Sequence, residues 1–233
     1  MRPLLSIIIP TYNRPGQLKN RLFELEGLND IELIIVNDGS SQIYSNKYFS
    51  KTFRIVYLNN TSNIGRGNSI IKGIKNSSGI YISFFDDEDE IIKDNLNQIL
   101  IHLKSLGPNY IGLIAETDQN TSFLKNDVDS YLVTRFTQEW SDRKEFVNNS
   151  ILKSSIPFWL KGRRIPTSFL FSLCDTYGKK WKYLPLIIVN KTYGENGLTS
   201  TIRKNPFKKS LLISLIFLVY RKVILLKNYF KDF

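Results

Sequence analysis

Short apolar runs alternate with longer amphipathic segments through the first half of the chain. The short runs are rich in isoleucine and valine and predict buried strands, whereas the longer segments repeat leucine or isoleucine at helical spacing. Predicted strands cover 4–9, 31–36, 53–58, 80–85 and 110–115, and predicted helices cover 14–28, 63–75 and 91 to about 106. Strands that alternate with helices predict an α/β domain with a central, mostly parallel sheet.

The second half of the chain is less regular, since residues 116–162 are polar and have few clear periods. A helix is predicted at 166–177 and a late strand at 186–189. We therefore predict one domain over residues 1–205, with halves 1–115 and 116–205, followed by a separate segment, 206–233.

The segment 206–233 is predicted as a basic, amphipathic helix. Residues 211–220 are almost all apolar, and Arg221 and Lys222 follow them directly. Ten helical residues cover only about 15 Å, which is half the hydrocarbon core of a bilayer. A helix that lies on an anionic membrane surface, with contact through 207–233, fits better than a span. The alternative is a terminal helix that packs on the domain or on a second subunit.

The charge of the chain favours an anionic partner. Net charge is +11 over 233 residues, which suits a nucleotide phosphate, a nucleic acid or a membrane surface. Many of the cations lie beside the apolar tail, and no strand pattern interleaves aromatic with basic residues. Nucleic acid is therefore the weakest of the three, and we expect no nucleic-acid partner.

Scarce residue types exclude several kinds of chemistry. Cys174 is the single cysteine, so an internal disulfide is excluded and a buried thiol in a reducing compartment is expected. His102 is the single histidine, which excludes a histidine-based zinc site or catalytic triad. Met1-Arg2-Pro3 runs directly into a predicted strand with no signal peptide, so we expect a cytoplasmic location.

A run of acids, Asp86 to Glu90, directly follows the fourth predicted strand. If the strand continues as an extended tip, Asp86, Glu88 and Glu90 share one side, because alternate side chains point the same way. Paired carboxylates at the end of a strand suit Mg²⁺ or Mn²⁺, which bind oxygen and bridge to substrate phosphates. The alternative is that these acids only open the next helix, where negative charge is favourable.

Four segments in this order resemble the family-2 glycosyltransferases, which have the A-type nucleotide-diphosphosugar transferase fold. They are Ser6-Ile-Ile-Ile-Pro-Thr-Tyr-Asn-Arg14, Glu32-Leu-Ile-Ile-Val-Asn-Asp-Gly-Ser-Ser41, Asn63-Ile-Gly-Arg-Gly-Asn68 with Gly73 and Gly79, and the acid run in the place of that family's Asp-x-Asp signature. The resemblance implies a Rossmann-like α/β fold in which 1–115 binds a nucleotide-sugar and 116–205 binds the acceptor.

The resemblance also implies which residues bind the donor. The loop after the first strand would hold base and ribose at the carboxyl edge of the sheet, and Asp38 would accept a hydrogen bond from the base. Glycines let the backbone approach the ligand closely. The metal, Mn²⁺ or Mg²⁺, would be held by Asp86 and Glu88. The implied nucleotide-sugar-binding residues are Pro10, Thr11, Tyr12, Asn13, Arg14, Asp38, Asn63, Gly65, Arg66, Asp86 and Asp87.

The chain departs from that family's pattern at several positions. Glu88 stands where the signature normally ends in aspartate, and Ile70-Ile71 stand where Arg-Asn is common, which leaves Arg66 as a substitute. Members that invert the anomeric centre carry a catalytic carboxylate before a late helix, but residues 162–166 contain no acid. The catalytic base is therefore not identified. Asp142, Glu145 and Asp175 are candidates nearby in sequence, and the Arg163-Arg164 pair is a hypothetical site for an acceptor phosphate.

The function that the resemblance implies is transfer of a sugar from a nucleotide-diphosphate donor to a glycan or lipid-linked acceptor. The basic tail would hold an inverting bacterial enzyme of polysaccharide biosynthesis at the inner face of the cell membrane. The missing base motivates the alternative, a catalytically impaired nucleotide-sugar-binding or scaffold protein of the same fold. The oligomeric state stays open.

Overall fold

The computed structural model describes residues 2–42, 52–119, 124, 126–131, 134, 142–157, 160 and 166–192. Residues 1–191 form one compact unit, and of the second unit, 192–233, only Thr192 is described. The predicted tail helix and the Arg163-Arg164 pair therefore lie outside the described residues.

The first half contains the strands and helices that the sequence predicts, with ends that differ by a few residues. The strands are β1 (Leu5–Thr11), β2 (Ile31–Asn37), β3 (Arg54–Asn59), β4 (Tyr81–Phe84), the short β5 (Glu90–Ile91) and β6 (Tyr110–Thr117). The helices are α1 (Pro15–Leu25), α2 (Arg66–Asn76) and α3 (Lys93–Lys104). The prediction of an α/β domain is confirmed.

The second half differs more from the prediction. Strand β7 (Arg143–Asn148) and helix α4 (Asn149–Ser155) occupy a region without a clear sequence pattern. The predicted helix at 166–177 is α5 (Thr167–Ser172) continued by a 3₁₀ turn (Leu173–Tyr177). The last strand, β8 (Lys180–Asn190), is much longer than predicted. Its first residues alternate lysine with the buried Trp181 and Tyr183, which is the pattern of a strand with one face in the core.

The described strands form one sheet in the order β3-β2-β1-β4-β7-β6-β8-β5. Strands β1 to β4 are mutually parallel, β7 runs antiparallel between β4 and β6, and β8 is parallel to β6. The carboxyl ends of β1, β2, β4, β6 and β8 therefore meet at one edge of the sheet, together with the start of β7. We call this the carboxyl edge.

Helices cover both faces of the sheet. Every residue of β1 and β2 is buried, as expected for central strands. Ile7 and Ile9 join a core cluster with leucines of α1 and α3. Ile8 points to the opposite face, where an added Cβ on Gly73 of α2 would come within 2.7 Å of its side chain. Glycine at this position lets α2 lie close to the sheet.

Two smaller findings concern the single cysteine and the helices. Cys174 is buried, as predicted, and burial raises the pKa of its thiol to about 12. Across the described residues, none of the helices combines the length and the apolar character that a membrane span requires.

Candidate functional site

The acid run forms a turn at the carboxyl edge of the sheet. Strand β4 ends at Phe84, and the N–H of Asp89 donates to the carbonyl of Asp86 at 3.2 Å. The prediction of an extended tip is therefore wrong, and Asp86 and Glu88 contact different cations. A turn separates like charges that would otherwise lie side by side, so that each acid from Asp86 to Asp89 meets a basic side chain.

Asp86 lies between two basic residues. Arg66 donates from Nε and Nη2 to Asp86 Oδ1 at 2.7 and 2.6 Å, and Lys191 Nζ lies 3.4 Å from Oδ2. Burial alone would raise the pKa of Asp86, but the charges of Arg66, Lys144 and Lys191 outweigh it and hold the pKa well below its usual range. Asp86 is therefore ionised at any physiological pH. Arg66, which the sequence suggested as a substitute for the family's arginine, thus contacts the acid turn directly.

Asp87 and Glu88 face the loop after β1. The hydroxyl of Thr11 donates to Asp87 Oδ2 at 2.7 Å, and Arg14 Nη1 lies 3.0 Å from Asp87 Oδ1 and 2.9 Å from Glu88 Oε2. Burial raises the pKa of both acids and outweighs the hydrogen bonds and charges that lower it. The acid turn and the predicted base-and-ribose loop are thus in direct contact.

Asp89 is buried beneath the turn and holds two lysines that the sequence did not suggest. Lys144 Nζ lies 2.8 Å and Lys191 Nζ 3.0 Å from Asp89 Oδ2. Burial lowers the pKa of Lys144, although nearby carboxylates oppose this effect. Lys191 has a raised pKa, because Asp86 and Asp89 outweigh the effect of its own burial.

Asp38 binds the backbone of the segment 63–65, which we call the glycine loop. Its Oδ1 accepts from the Ile64 N–H and its Oδ2 from the Gly65 N–H, both at 2.9 Å. Its own N–H donates to the Thr11 carbonyl at 2.9 Å. Gly39 has a φ of +76°, and an added Cβ would lie 2.3 Å from the Ser62 carbonyl carbon, so only glycine fits this close approach. Asp38 therefore lies beside Thr11 at the carboxyl edge.

The remaining predicted residues surround this centre. Pro10 is buried within β1, while Tyr12 is 46% exposed at the edge. Asn13 adopts a φ of 54° and accepts from the Ser41 N–H at 3.0 Å, which joins the loop after β1 to the loop after β2. Asn63 accepts from the Gly65 N–H at 3.1 Å. The structure thus brings every predicted donor residue to the carboxyl edge.

Asp86 and Glu88 are the two residues that were predicted to hold a divalent ion. Within the described part of the chain, no group of three or more ligating side chains is assembled for a metal. Asp86 and Glu88 each keep about a quarter of the side chain exposed, at 25% and 26%. Mg²⁺ commonly binds through one or two carboxylates and completes its shell with water and substrate phosphates. An ion that arrives with a diphosphate would therefore meet two partly exposed carboxylates, each of which contacts an arginine in this structure.

Of the three candidate bases, the structure brings only Asp142 to this centre. Asp142 Oδ2 lies 4.0 Å from Lys191 Nζ. Glu145 is buried and accepts a hydrogen bond from the hydroxyl of Tyr131. Asp175 accepts a hydrogen bond from the backbone N–H of Tyr131 at 2.9 Å. The family pattern places its acid just before α5, within 162–166, and α5 begins with Thr167, whose hydroxyl accepts from Arg66 Nη1 at 3.0 Å.

The comparison with known families decides the assignment. A model described as glycosyl transferase family 2 matches residues 6–164, most of the chain. The chain belongs to glycosyl transferase family 2.

Relatives and solved structures agree with this family 2 assignment. Abequosyltransferase RfbV of Salmonella typhimurium is 27% identical over 199 residues, and the match covers 81% of this chain and 53% of RfbV. Staphylococcus aureus TarS 1-349 in complex with UDP-GlcNAc has a TM-score of 0.65 at 18% identity, covering 85% of this chain and 61% of TarS. The chain thus spans about half the length of RfbV, and the likeness to TarS concerns the fold.

A third similar protein is the mannosyltransferase PcManGT from Pyrobaculum calidifontis, solved in complex with GDP-Man and Mn²⁺. Its TM-score is 0.60 at 14% identity, and the match covers 86% of this chain and 60% of that one. The central sheet of this family 2 chain is therefore that of an A-type glycosyltransferase.

Proposed function

We propose that the protein transfers a sugar from a nucleotide-diphosphate donor to a hydroxyl of a glycan or lipid-linked acceptor. The observation that carries the proposal is the hydrogen bond from Thr11 to Asp87, 2.7 Å long, which joins the loop after β1 to the acid turn. Ligands of open α/β sheets bind at this edge, outside the carboxyl ends of the strands. Membership of a glycosyltransferase family supports the same conclusion.

The donor would lie across the edge from Tyr12 to Asp86. Tyr12 and Asn13 would contact the base, with Asp38 behind them. Asp87 would fix Thr11 and Arg14 of the loop after β1 against the donor. Arg66 would keep Asp86 ionised and fixed in direction, because its guanidinium donates twice to one oxygen of that carboxylate. These contacts bind and orient the donor before any bond breaks.

Asp86 and Glu88 would hold Mn²⁺ or Mg²⁺. When bound, such an ion supplies charge that stabilises the leaving diphosphate. The complex of PcManGT contains Mn²⁺, which supports a divalent ion in proteins of this fold. Arg14 Nη1 contacts both Asp87 and Glu88. When Glu88 binds the ion, Arg14 would lose its contact with Glu88 and keep its contact with Asp87.

The acceptor side would be formed by the ends of β6 and β8 and the start of β7. The basic, apolar sequence of 207–233 supports an acceptor at an anionic membrane surface, and with it a location at the inner face of the cell membrane. Enzymes of polysaccharide biosynthesis that use lipid-linked acceptors require such a position. Inversion at the anomeric carbon remains our prediction from the resemblance.

A thermal-shift screen of UDP-, GDP-, dTDP- and CDP-sugars with and without Mn²⁺ tests this proposal. We expect nucleotide-sugars of one base and sugar class to raise the midpoint of thermal unfolding in the presence of Mn²⁺. The same donor should be hydrolysed slowly by water, which releases its nucleotide. Binding without turnover across a panel of acceptors would support the scaffold alternative instead. A chain that binds no nucleotide-sugar under any condition would contradict both.

A further inference from the structure

Asp142 lies at the carboxyl edge because β7 runs against its neighbours. The residue directly precedes β7, whose first residue, Arg143, pairs with Glu116 near the end of β6. The hydroxyl of Thr117 donates to the Asp142 carbonyl at 2.8 Å, which fixes its backbone. An antiparallel strand thus begins where the parallel strands end, and Asp142 is placed beside the donor site.

Lys191 links the Asp142 carboxylate to the acid turn. Its Nζ lies 4.0 Å from Asp142 Oδ2, 3.4 Å from Asp86 Oδ2 and 3.0 Å from Asp89 Oδ2. Asp142 is also close enough to Arg66 for their charges to interact. Because one ammonium group lies within 4.0 Å of Asp142 Oδ2 and 3.4 Å of Asp86 Oδ2, Asp142 lies on the same side of the carboxyl edge as the predicted metal ligand Asp86.

Exposure distinguishes Asp142 from the acids of the turn. Its side chain is 47% exposed, whereas those of Asp86 and Glu88 are 25% and 26% exposed and that of Asp89 is 2% exposed. An acceptor must approach from solvent, and a base must reach its hydroxyl within hydrogen-bond distance. The exposure of Asp142 leaves its carboxylate open to an acceptor that approaches the donor site from solvent.

The other two candidates are poorly placed. Glu145 lies three residues further into β7, and alternation turns it to the face opposite Asp142, where it meets Tyr131. Asp175 belongs to the turn before β8, and β8 starts at the opposite edge of the sheet. Its oxygens accept from Ser130 and Tyr131.

We propose that Asp142 is the catalytic base of the transfer reaction, an inference that rests on the proposed function. The Asp142 carboxylate takes the proton of the acceptor hydroxyl as that oxygen forms a bond to the anomeric carbon. The bond between the anomeric carbon and the diphosphate oxygen breaks, and its electron pair leaves with the nucleotide diphosphate. The proton ends on Asp142 and the sugar on the acceptor.

The test compares two nucleophiles on the full chain with Asp142→Asn. Water must lose a proton when it attacks, whereas the azide anion needs no base. The donor is the nucleotide-sugar with the largest thermal shift, and release of its nucleotide is measured in water alone and with added sodium azide. Asp129→Asn is the matched control, because Asp129 is 78% exposed and pairs with Lys180 at the start of β8, at the other edge.

We expect Asp142→Asn to lower water-driven release by about 10²- to 10⁴-fold, the usual contribution of a general base. Its donor Kd and thermal midpoint should stay close to those of the wild type, azide-driven release should persist, and Asp142→Glu should recover part of the rate. Release within about threefold of the wild type, or equal losses with water and azide, would overturn the assignment. Wild-type protein that neither binds nor cleaves any donor would instead overturn the proposed function, and the base with it.

Discussion

Arg66 contacts Asp86 through two nitrogens that lie 2.7 and 2.6 Å from the same carboxylate oxygen. The two residues belong to different elements, since Arg66 opens α2 and Asp86 follows β4. The pair therefore ties the glycine loop to the acid turn. Arg66 Nη1 also reaches Thr167 at the start of α5, so one guanidinium joins both halves of the domain at the proposed donor site.

Removal of this guanidinium should weaken donor binding more than it weakens the fold. Arg66→Met leaves Asp86 with a single described ion-pair contact, to Lys191 at 3.4 Å. We expect the donor Kd to rise about 10- to 100-fold, as for loss of a hydrogen bond to a charged group. Arg54→Met is the control, because Arg54 is exposed at the start of β3, away from the carboxyl edge. Isothermal titration of both variants measures the difference. Equal donor affinity in the two would argue against a role for Arg66.

Gly112 should tolerate no side chain. An added Cβ would lie 2.0 Å from the Phe146 carbonyl oxygen and 2.9 Å from the Val147 Cα, so the backbone of β7 would have to move. We expect Gly112→Ala to lower the free energy of unfolding by about 3 kcal/mol. Gly107→Ala meets nothing within 4 Å and should change it by less than about 0.5 kcal/mol. Urea denaturation of the two variants checks this, and similar midpoints would contradict the pairing of β6 with β7.

Glu32 should make stability depend on acid pH. Burial alone would raise its pKa, but hydrogen bonds from Ser6, Ser78 and Gly79 outweigh it and lower the pKa below the ordinary value of 4.5. A lowered folded-state pKa stabilises the protein above pH 4.5, and that contribution disappears as the pH falls through the folded-state value.

The isosteric change Glu32→Gln isolates this contribution. Glutamine offers one acceptor oxygen where the carboxylate offers two, so we expect a loss of about 1–3 kcal/mol at pH 7. The difference in unfolding free energy from the wild type should be smaller at pH 3 than at pH 7, because the unfolded wild-type chain binds a proton at Glu32 below pH 4.5 and the stabilising contribution is then progressively lost. Urea denaturation at both pH values measures the difference in unfolding free energy between the two proteins. A difference that is the same at both pH values would mean that ionisation of Glu32 does not contribute to stability.

Deletion of 207–233 should release the protein from anionic membranes. The full chain should sediment with vesicles that contain phosphatidylglycerol and remain in the supernatant with neutral vesicles, because Lys and Arg near a surface are attracted to anionic lipid. Replacement of Arg221 and Lys222 by glutamine keeps the length and should weaken sedimentation in part. A deletion variant that still sediments would contradict the assignment of membrane contact to the tail.

The donor half was predictable because its signals are local. Thr11, Asp38 and Asp86 each follow a strand that apolar residues identify, and parallel strands bring their ends together. Lys144 and Lys191 gave no such signal, since a lysine at the end of a strand normally indicates solvent. Their burial depends on Asp89, which meets Lys144 only because β7 pairs with β4.

Strand β7 itself escaped prediction for a related reason. Arg143, Lys144 and Glu145 interrupt the apolar pattern, yet all three are buried. Arg143 pairs with Glu116 at 3.1 Å, and Lys144 pairs with Asp89 at 2.8 Å. Charged residues that form ion pairs inside the sheet cannot be recognised from periodicity, because their partners are distant in sequence.

The most direct test is calorimetric titration of the full chain with the best-matched nucleotide-sugar, with and without Mn²⁺, for the wild type and for Asp86→Ala. Our account predicts that Mn²⁺ tightens binding by at least about tenfold in the wild type, and that Asp86→Ala loses this effect while its thermal midpoint is maintained. Equal donor affinity in the two proteins, with the same response to Mn²⁺, would contradict it.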